Sequence, residues 1–506
     1  MIKLVIFLFS DIFILTFAGL IGPLFMKIYH QFFVVLFSVF WAMFSCLATA
    51  GSDDNDKKNK TSVITAVDTG ARPSNNGGSS SGSSSAGGGV SNGPIPIAGL
   101  SNNQLIFFNL GIESFSKVRD VGMGLGPRFN LVSCVGCHAH PVVGGSSPAL
   151  NPQVLMPIPG DLNVLPSFIV ADGPVLEARF VKNADGTPDG GVHELFVISG
   201  RPEAPYCDIT QPDFDAQLIK NNVVFRIPTP TFGLGLVEML NEDTLYANLS
   251  TNLSIKNTYG ITPRLNTNGN DGTVTRFGWK AQNKSLLMFA GEAYNVEMGI
   301  SNDLFQSERE NKQTCQFKSV PNDFQNMDAV YAGSTEEAAL LATTSTQSLA
   351  TFSQFLAAPV PVDSYGTVTA ASIASGKELF SVVGCNECHT PTLTTDSNAS
   401  VSALKEITFN PYSDFALHNM GPGLADGIAQ GAAKGDEFRS APLWGLGQRL
   451  FFLHDGRAKD LQTAIQAHQS SRGNGYQASE ANAVINKFKQ LSADSQQNVI
   501  NFLRSL

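Results

Sequence analysis

Cys134-Val135-Gly136-Cys137-His138 and Cys385-Asn386-Glu387-Cys388-His389 are two copies of one five-residue pattern, Cys-x-x-Cys-His. Two closely spaced thiols followed directly by an imidazole form the attachment signature of a c-type haem. The thiols form thioethers with the porphyrin vinyl groups, and the tethered ring then holds its iron over the adjacent imidazole. A zinc site and a redox dithiol are the other chemistries open to such spacing. A four-thiolate zinc site would leave both following histidines without a role. With seven Cys and eight His in the chain, chance gives the pattern about once in a thousand such chains, and twice about once in a million. The pattern therefore assigns Cys134, Cys137, Cys385 and Cys388 to two covalent haems, with His138 and His389 as iron ligands.

The rest of the chain sets the frame. At 506 residues it is too long for one ordinary core, which predicts two domains plus appendages. Charged residues make up 15%, below the roughly 25% of soluble domains, and Gly with Pro take about one residue in seven. That composition predicts long loops around modest regular structure. The net charge of −10, with no basic cluster, argues against nucleic acid as a partner.

The first 50 residues read as an address. Residues 1–25 are apolar throughout, but Met26-Lys27 followed by Phe32–Phe44 is a complete secretory signal on its own, so translation is expected to start at Met26. Two processing sites compete. Met43-Phe44-Ser45-Cys46 is an imperfect lipobox that would place a lipid on Cys46, and Ala48-Thr49-Ala50 is an ordinary signal-peptidase site. Both readings, and an uncleaved span, put the remainder outside the cytoplasm, in the periplasm, touching membrane only through this anchor. Residues 51–97, with the Gly/Ser-rich run at 77–89, read as a disordered linker.

A second break near residues 356–365 predicts one haem domain over 98–356 and another over 366–506. Three features recur in both, in the same order. The first is Cys-x-x-Cys-His. The second is a Pro-containing stretch ending Gly-Leu-Gly, at 226–235 and 439–447. The third is an aromatic-led segment entering a helix, with Phe277 and Trp279 in one copy and Phe451 and Phe452 in the other. Three matches in register argue for duplication. Strand-like alternation is confined to Glu194–Ser199 and Val223–Ile227, so the fold is expected to be mainly α with long loops and some β in the first domain.

Further ligands come from helical faces. His30 lies in the signal, and His140 is too close to His138 to reach the opposite side of the ring. This leaves His193, His418, His454 and His468. Asp460 is a plausible N-cap, and Leu461, Ala464, Ile465 and His468 fall on one apolar face, which points His468 inward as a ligand of the second iron. The same pattern also describes a hydrogen-bonded core histidine, and Met420, in Asn419-Met420-Gly421-Pro422-Gly423, is a competing ligand. Glu297 extends the stripe Leu286, Phe289, Ala290, Ala293. A carboxyl there is either buried, with a raised pKa suited to acid–base work, or escapes to solvent as the helix ends near Gly299. Trp279 is either an electron relay or core. Cys207 and Cys315 remain, and an oxidising compartment would pair them.

These residues resemble the di-haem oxidoreductases also labelled thiol oxidoreductases with two cytochrome c haem sites. The resemblance spans about 105–470. It rests on Gly124-Leu125-Gly126-Pro127-Arg128-Phe129-Asn130 before Cys134, Val296-Glu297-Met298-Gly299, Cys388-His389-Thr390-Pro391-Thr392-Leu393, Met420-Gly421-Pro422-Gly423-Leu424-Ala425-Asp426-Gly427 and Phe452-Leu453-His454-Asp455-Gly456-Arg457. The chain resembles the bacterial di-haem cytochrome c peroxidases more distantly. The resemblance implies two cytochrome c-like domains, with hydrogen peroxide bound at the first haem and electrons delivered by the second from a small redox protein. It implies Glu297 as acid–base and Trp279 between the haems. The interval after His454 lands on His468 where the peroxidases carry Met, which would lower that haem's potential. No distal histidine follows His138, which implies an open first iron. Electron transfer without peroxide chemistry, and oxidation of thiols or protein side chains, are the alternative functions. Calcium between the domains is not legible in these residues.

Overall fold

In a computed structural model of the chain, residues 66–72, 93–318, 320–325 and 343–506 are described. The signal segment 1–50, with Cys46, lies outside them. Among the described residues are twelve α-helices and ten short strands, and the strands pair only in twos. No helix among them is long and apolar enough to cross a membrane. The mainly helical expectation holds, but β-structure is not confined to the first half: Leu393–Thr394 pairs with Thr408–Phe409.

The helices that position the sites are α1 (Asn102–Ser116), α2 (Leu286–Met298), α3 (Ser345–Phe355), α4 (Ala370–Val383), α5 (Leu461–Ala467), α6 (Asn482–Gln490) and α7 (Ala493–Ser505). Local chemistry starts them. Ser101 and Thr344 cap α1 and α3, each in a reciprocal box with the Gln three residues on, which satisfies two otherwise unpaired backbone N–H groups. The buried face of α1 carries Phe108, Gly111 and Phe115, and that of α4 carries Gly376, Phe380 and Val383. These spacings form one stripe of a helix.

The two halves use one packing solution. α1 crosses α3 at Gly111, where a Cβ would stand 2.5 Å from Phe352 Cβ. α4 crosses α7 at Gly376, where a Cβ would stand 1.9 Å from the Asn498 carbonyl oxygen and 2.7 Å from Phe502 Cβ. Only glycine lets the helices approach so closely. One turn beyond each glycine stands a phenylalanine, Phe115 or Phe380, that reaches the histidine of the nearby Cys-x-x-Cys-His. The other repeated features also coincide. Phe277 bridges to Asn283 before Ser285 caps α2, and Phe452 bridges to Ala458 before Asp460 caps α5.

Two short strand pairs matter for the sites. β1 (Glu177–Phe180) runs antiparallel to β2 (Val223–Arg226), with Glu177 opposite Arg226. β3 (Leu417–Asn419) pairs with β4 (Glu437–Arg439), placing His418 opposite Phe438. Cys207 and Cys315 are joined as a disulfide.

The 51–97 stretch is not linker throughout. Ala66 is buried, and the Asp68 carboxylate accepts from Arg504 Nε and Nη2 at 2.8 and 2.7 Å. Asp68 and Arg504 are both almost fully buried. The guanidinium at the end of α7 lies in the core and requires a counter-charge, which the polar segment supplies. The described residues fall within one compact unit.

Candidate functional site

Two cavities of similar size lie within this unit, and each is walled by one Cys-x-x-Cys-His segment. In the first, Ser133 caps the single turn Cys134–Cys137, and His138 N closes on Cys134 O at 3.0 Å. The turn thereby fixes both thiols and the imidazole on one side. The His138 ring packs edge-on against Phe115, and Nδ1 donates to Gly145 O at 3.0 Å. Burial pushes this imidazole down to about 4, so it is neutral. With the Nδ1 proton on a carbonyl, Nε2 carries the lone pair, as a metal ligand requires.

Glu297 occupies the last turn of α2 and lines the same cavity. Of the two positions open to it from sequence, the inward one is realised. Asn130 Nδ2 donates to Glu297 Oε2 at 2.8 Å, and Asn130 Oδ1 accepts from Leu195 N at 2.9 Å, locking the amide. Burial, and then the neighbouring Glu177 carboxylate, raise Glu297 well above the usual carboxyl range. His138 is the one histidine lining this cavity among the described residues.

The second cavity repeats the arrangement of the first. His389 N closes on Cys385 O at 2.9 Å, Nδ1 donates to Tyr412 O at 2.9 Å, and burial pushes the ring down to about 4. His468 ends α5 as its C-cap and lines the cavity, with Nδ1 donating to Ala464 O at 2.7 Å. It lies close enough for its charge to disfavour protonation of His389. Met420 and His454 share the wall, whereas His193 lies elsewhere, paired with Asp189 at 2.9 Å. His418 is clamped between Asp414, at 3.0 Å, and Glu480, and its Nδ1 lies 3.4 Å from Cys388 Sγ. Burial alone would lower His418, but the Cys388 thiol and the Asp414 carboxylate outweigh it and raise the imidazole well above its ordinary range.

Trp279 lines both cavities. Its Nε1 donates to Ile227 O at 2.9 Å, and its ring meets His454 edge-on.

Haem fits these residues on two counts. The three candidate iron ligands each have Nδ1 tied to a backbone carbonyl. Arg439 and Arg449 line the second cavity with no carboxylate in salt-bridge contact among the described residues, only Asp414 acting on Arg439 from farther off, and the Arg449 side chain makes no hydrogen bond among them. Burial pushes both down to about 10, so both remain cationic at neutral pH. Two buried cations facing an apolar cavity call for anionic groups from the occupant, and a porphyrin carries two propionates.

Sequence reasoning did not single out Glu177, Arg179 or Asn130, nor the two arginines. Glu177 and Arg179 stand on one face of β1, and Arg226 lies across from Glu177 on β2, so a two-residue alternation aims all three at the first cavity.

A family model described as "Di-haem oxidoreductase, putative peroxidase" matches residues 177–506. The first Cys-x-x-Cys-His precedes the matched segment, which contains Glu297, the second motif and His468. No curated protein matches. Among solved structures, the chain is similar to Kuenenia stuttgartiensis hydrazine synthase at 12% identity and a TM-score of 0.34, over 85% of this chain and 100% of that one. It is also similar to a MauG-like protein associated with microbial copper homeostasis, at 15% identity and a TM-score of 0.26, over 48% of this chain and 79% of that one.

Proposed function

We propose, since the chain belongs to the di-haem oxidoreductase family, that it reduces hydrogen peroxide at the first cavity with electrons delivered through the second. Each half is read as a cytochrome c-like domain, 98–356 and 366–506. Cys134 and Cys137 would hold one haem with His138 on its iron. Cys385 and Cys388 would hold the other, with His389 and His468 as the residues offered to its iron. Bound haem would supply the iron that takes up peroxide and the redox equivalents that reduce it.

The observation that carries this reading is the asymmetry between the cavities. One sets a buried carboxyl, Glu297, beside a single histidine, and the other holds His468 near His389. Glu297 would take the proton from one peroxide oxygen and return it to the other, which assists heterolysis of the O–O bond. Asn130 keeps the carboxyl in place for both transfers. The reaction consumes two electrons and two protons and yields two waters. Trp279, in the wall of both cavities, supports a short route for the electrons. The donor is proposed to be a small redox protein, and the protein to be exported to the periplasm, with Cys46 as its lipid anchor or Ala48-Thr49-Ala50 as its cleavage site.

The test uses protein made with a working cytochrome-maturation system. Its mass should rise by two haems, and its ferric spectrum should contain one high-spin centre that binds cyanide and one low-spin centre. Glu297→Gln should lower peroxide turnover by about 100-fold or more while leaving both spectra intact. Two low-spin centres with no added ligand bound would favour a pure electron carrier and overturn the proposal.

A further inference from the structure

Beside Glu297 stands a second acidic side chain that the mechanism above does not use. Glu177 lines the same cavity from β1, and its carboxyl is in hydrogen-bond contact with that of Glu297. Two carboxylates both accept, so this contact requires a proton on one of them. Arg179 decides which. Its Nε donates to Glu177 Oε1 while its Nη1 is fixed on Gly190 O at 2.9 Å. The guanidinium favours the anion on Glu177, and Asn130 supports Glu297 from the other side.

We infer that Glu177 and Glu297 form a carboxylate–carboxyl pair holding one proton between them, and that Glu177 is the positioning residue for the acid–base of the first cavity. The inference rests on the role given to Glu297 in the preceding subsection. A protonated Glu297 can receive a proton from peroxide only if its own has somewhere to go, and Glu177 is that place. One proton enters the pair from the peroxide O–H. One leaves with the departing oxygen as the O–O bond breaks and water forms. The pair ends as it began. The redox-protein donor supplies the two electrons, and solvent the two protons, that complete reduction to two waters.

The other charged or titratable groups around the pair are Arg226 from β2, Glu292 and Tyr294 from α2, and Cys134, Cys137 and His138 from the Cys-x-x-Cys-His segment. Burial would raise Glu177, but the Arg179 charge and the bond from Glu297 hold it below the ordinary carboxyl range, whereas Glu297 is raised. A carboxyl pair split in this way releases its protons in two separated steps.

The experiment follows the protonated-carboxyl infrared band of the haem-loaded protein against pH, alongside the pH profile of peroxide turnover. Glu177→Gln removes the neighbouring negative charge, so the band should titrate about one pH unit lower or more, and the turnover profile should move with it. Arg179→Gln removes the cation and should shift the band the opposite way. A band unmoved by Glu177→Gln, or moved in the same direction by both variants, would overturn the inference. A band that shifts as expected in a protein without peroxide turnover would support the pair and overturn the peroxide reading.

Discussion

Three imidazoles of this chain are held alike. His138, His389 and His468 each give the Nδ1 proton to a main-chain oxygen, Gly145, Tyr412 and Ala464 respectively. Backbone carbonyls do not titrate, so tautomer and ring orientation are set before any metal arrives. At the second cavity this makes His468 the better-prepared ligand than Met420. Replacing His468 with Met should raise the midpoint potential of the second haem, because thioether ligation favours the reduced state. Potentiometric titration checks it, and an unchanged potential would assign that position to Met420 or another residue. His454 poses a different residue-scale problem. It stacks on Phe438 with centroids 4.3 Å apart, and burial pushes it down to about 4. An unfolded histidine titrates near 6.5. The unfolded chain therefore takes up this proton first, and the stability present above about pH 6.5 is lost as pH falls toward 4. The difference of some 2.5 pH units corresponds to about 3 kcal/mol. Urea unfolding at pH 7 and pH 4.5 should show that loss reduced by about 2–3 kcal/mol in His454→Phe relative to the parent.

At the scale of elements, the crossings of α1 with α3 and of α4 with α7 place Phe115 and Phe380 against His138 and His389. Gly376→Ala would drive a methyl group into the Asn498 carbonyl. It should destabilise the protein by about 1–3 kcal/mol in urea unfolding, with the helices forced apart. These crossings also separate what was legible in sequence from what was not. The two Cys-x-x-Cys-His turns, the cap at Asp460, and the apolar faces leading to His468 and Glu297 follow local rules of spacing, so the sequence carries them. Glu177 and Arg179 obey an equally local rule, strand alternation, but Glu177-Ala178-Arg179 has the same pattern whether its charged face meets water or a cavity. Only the placement of β1 beside α2 tells the two apart. Asp68 is similar: its short polar segment reads as tether until the buried Arg504 is brought to it from the far end of the chain. Gly376 shows its meaning only once Asn498 and Phe502 stand across the crossing. Gly111, its counterpart, lies in an ordinary amphipathic stretch and gains meaning only from Phe352 across the crossing.

At the scale of the molecule, the two cavities share more than Trp279. Ile227 N donates to His454 O at 2.8 Å, and a buried ion cluster joins the halves. Asp426 lies 2.8 Å from Arg226 Nη2 and 3.1 Å from Lys280 Nζ. Lys280 is fully buried. It also donates to the carbonyls of Lys434 and Glu437 at 2.8 and 2.9 Å, and its ammonium sits 3.9 Å from the centre of the Phe438 ring. Lys280 follows Trp279 in sequence, Arg226 lines the first cavity and Phe438 the second, so the cluster touches both sites. Asp426→Asn would leave two buried cations without their shared carboxylate, and should destabilise the protein by about 3–5 kcal/mol. Adding Lys280→Met removes one of the two stranded cations and should recover part of that loss, Arg226 remaining without its carboxylate. The recovery is read as the non-additive part of a double-mutant cycle in urea unfolding. The location of the cluster dictates a further outcome. Unfolding followed at the high-spin and at the low-spin centre should give one coincident transition in Asp426→Asn, shifted to lower urea. Two separated transitions would mean that the halves hold their haems independently and that this cluster does not couple them.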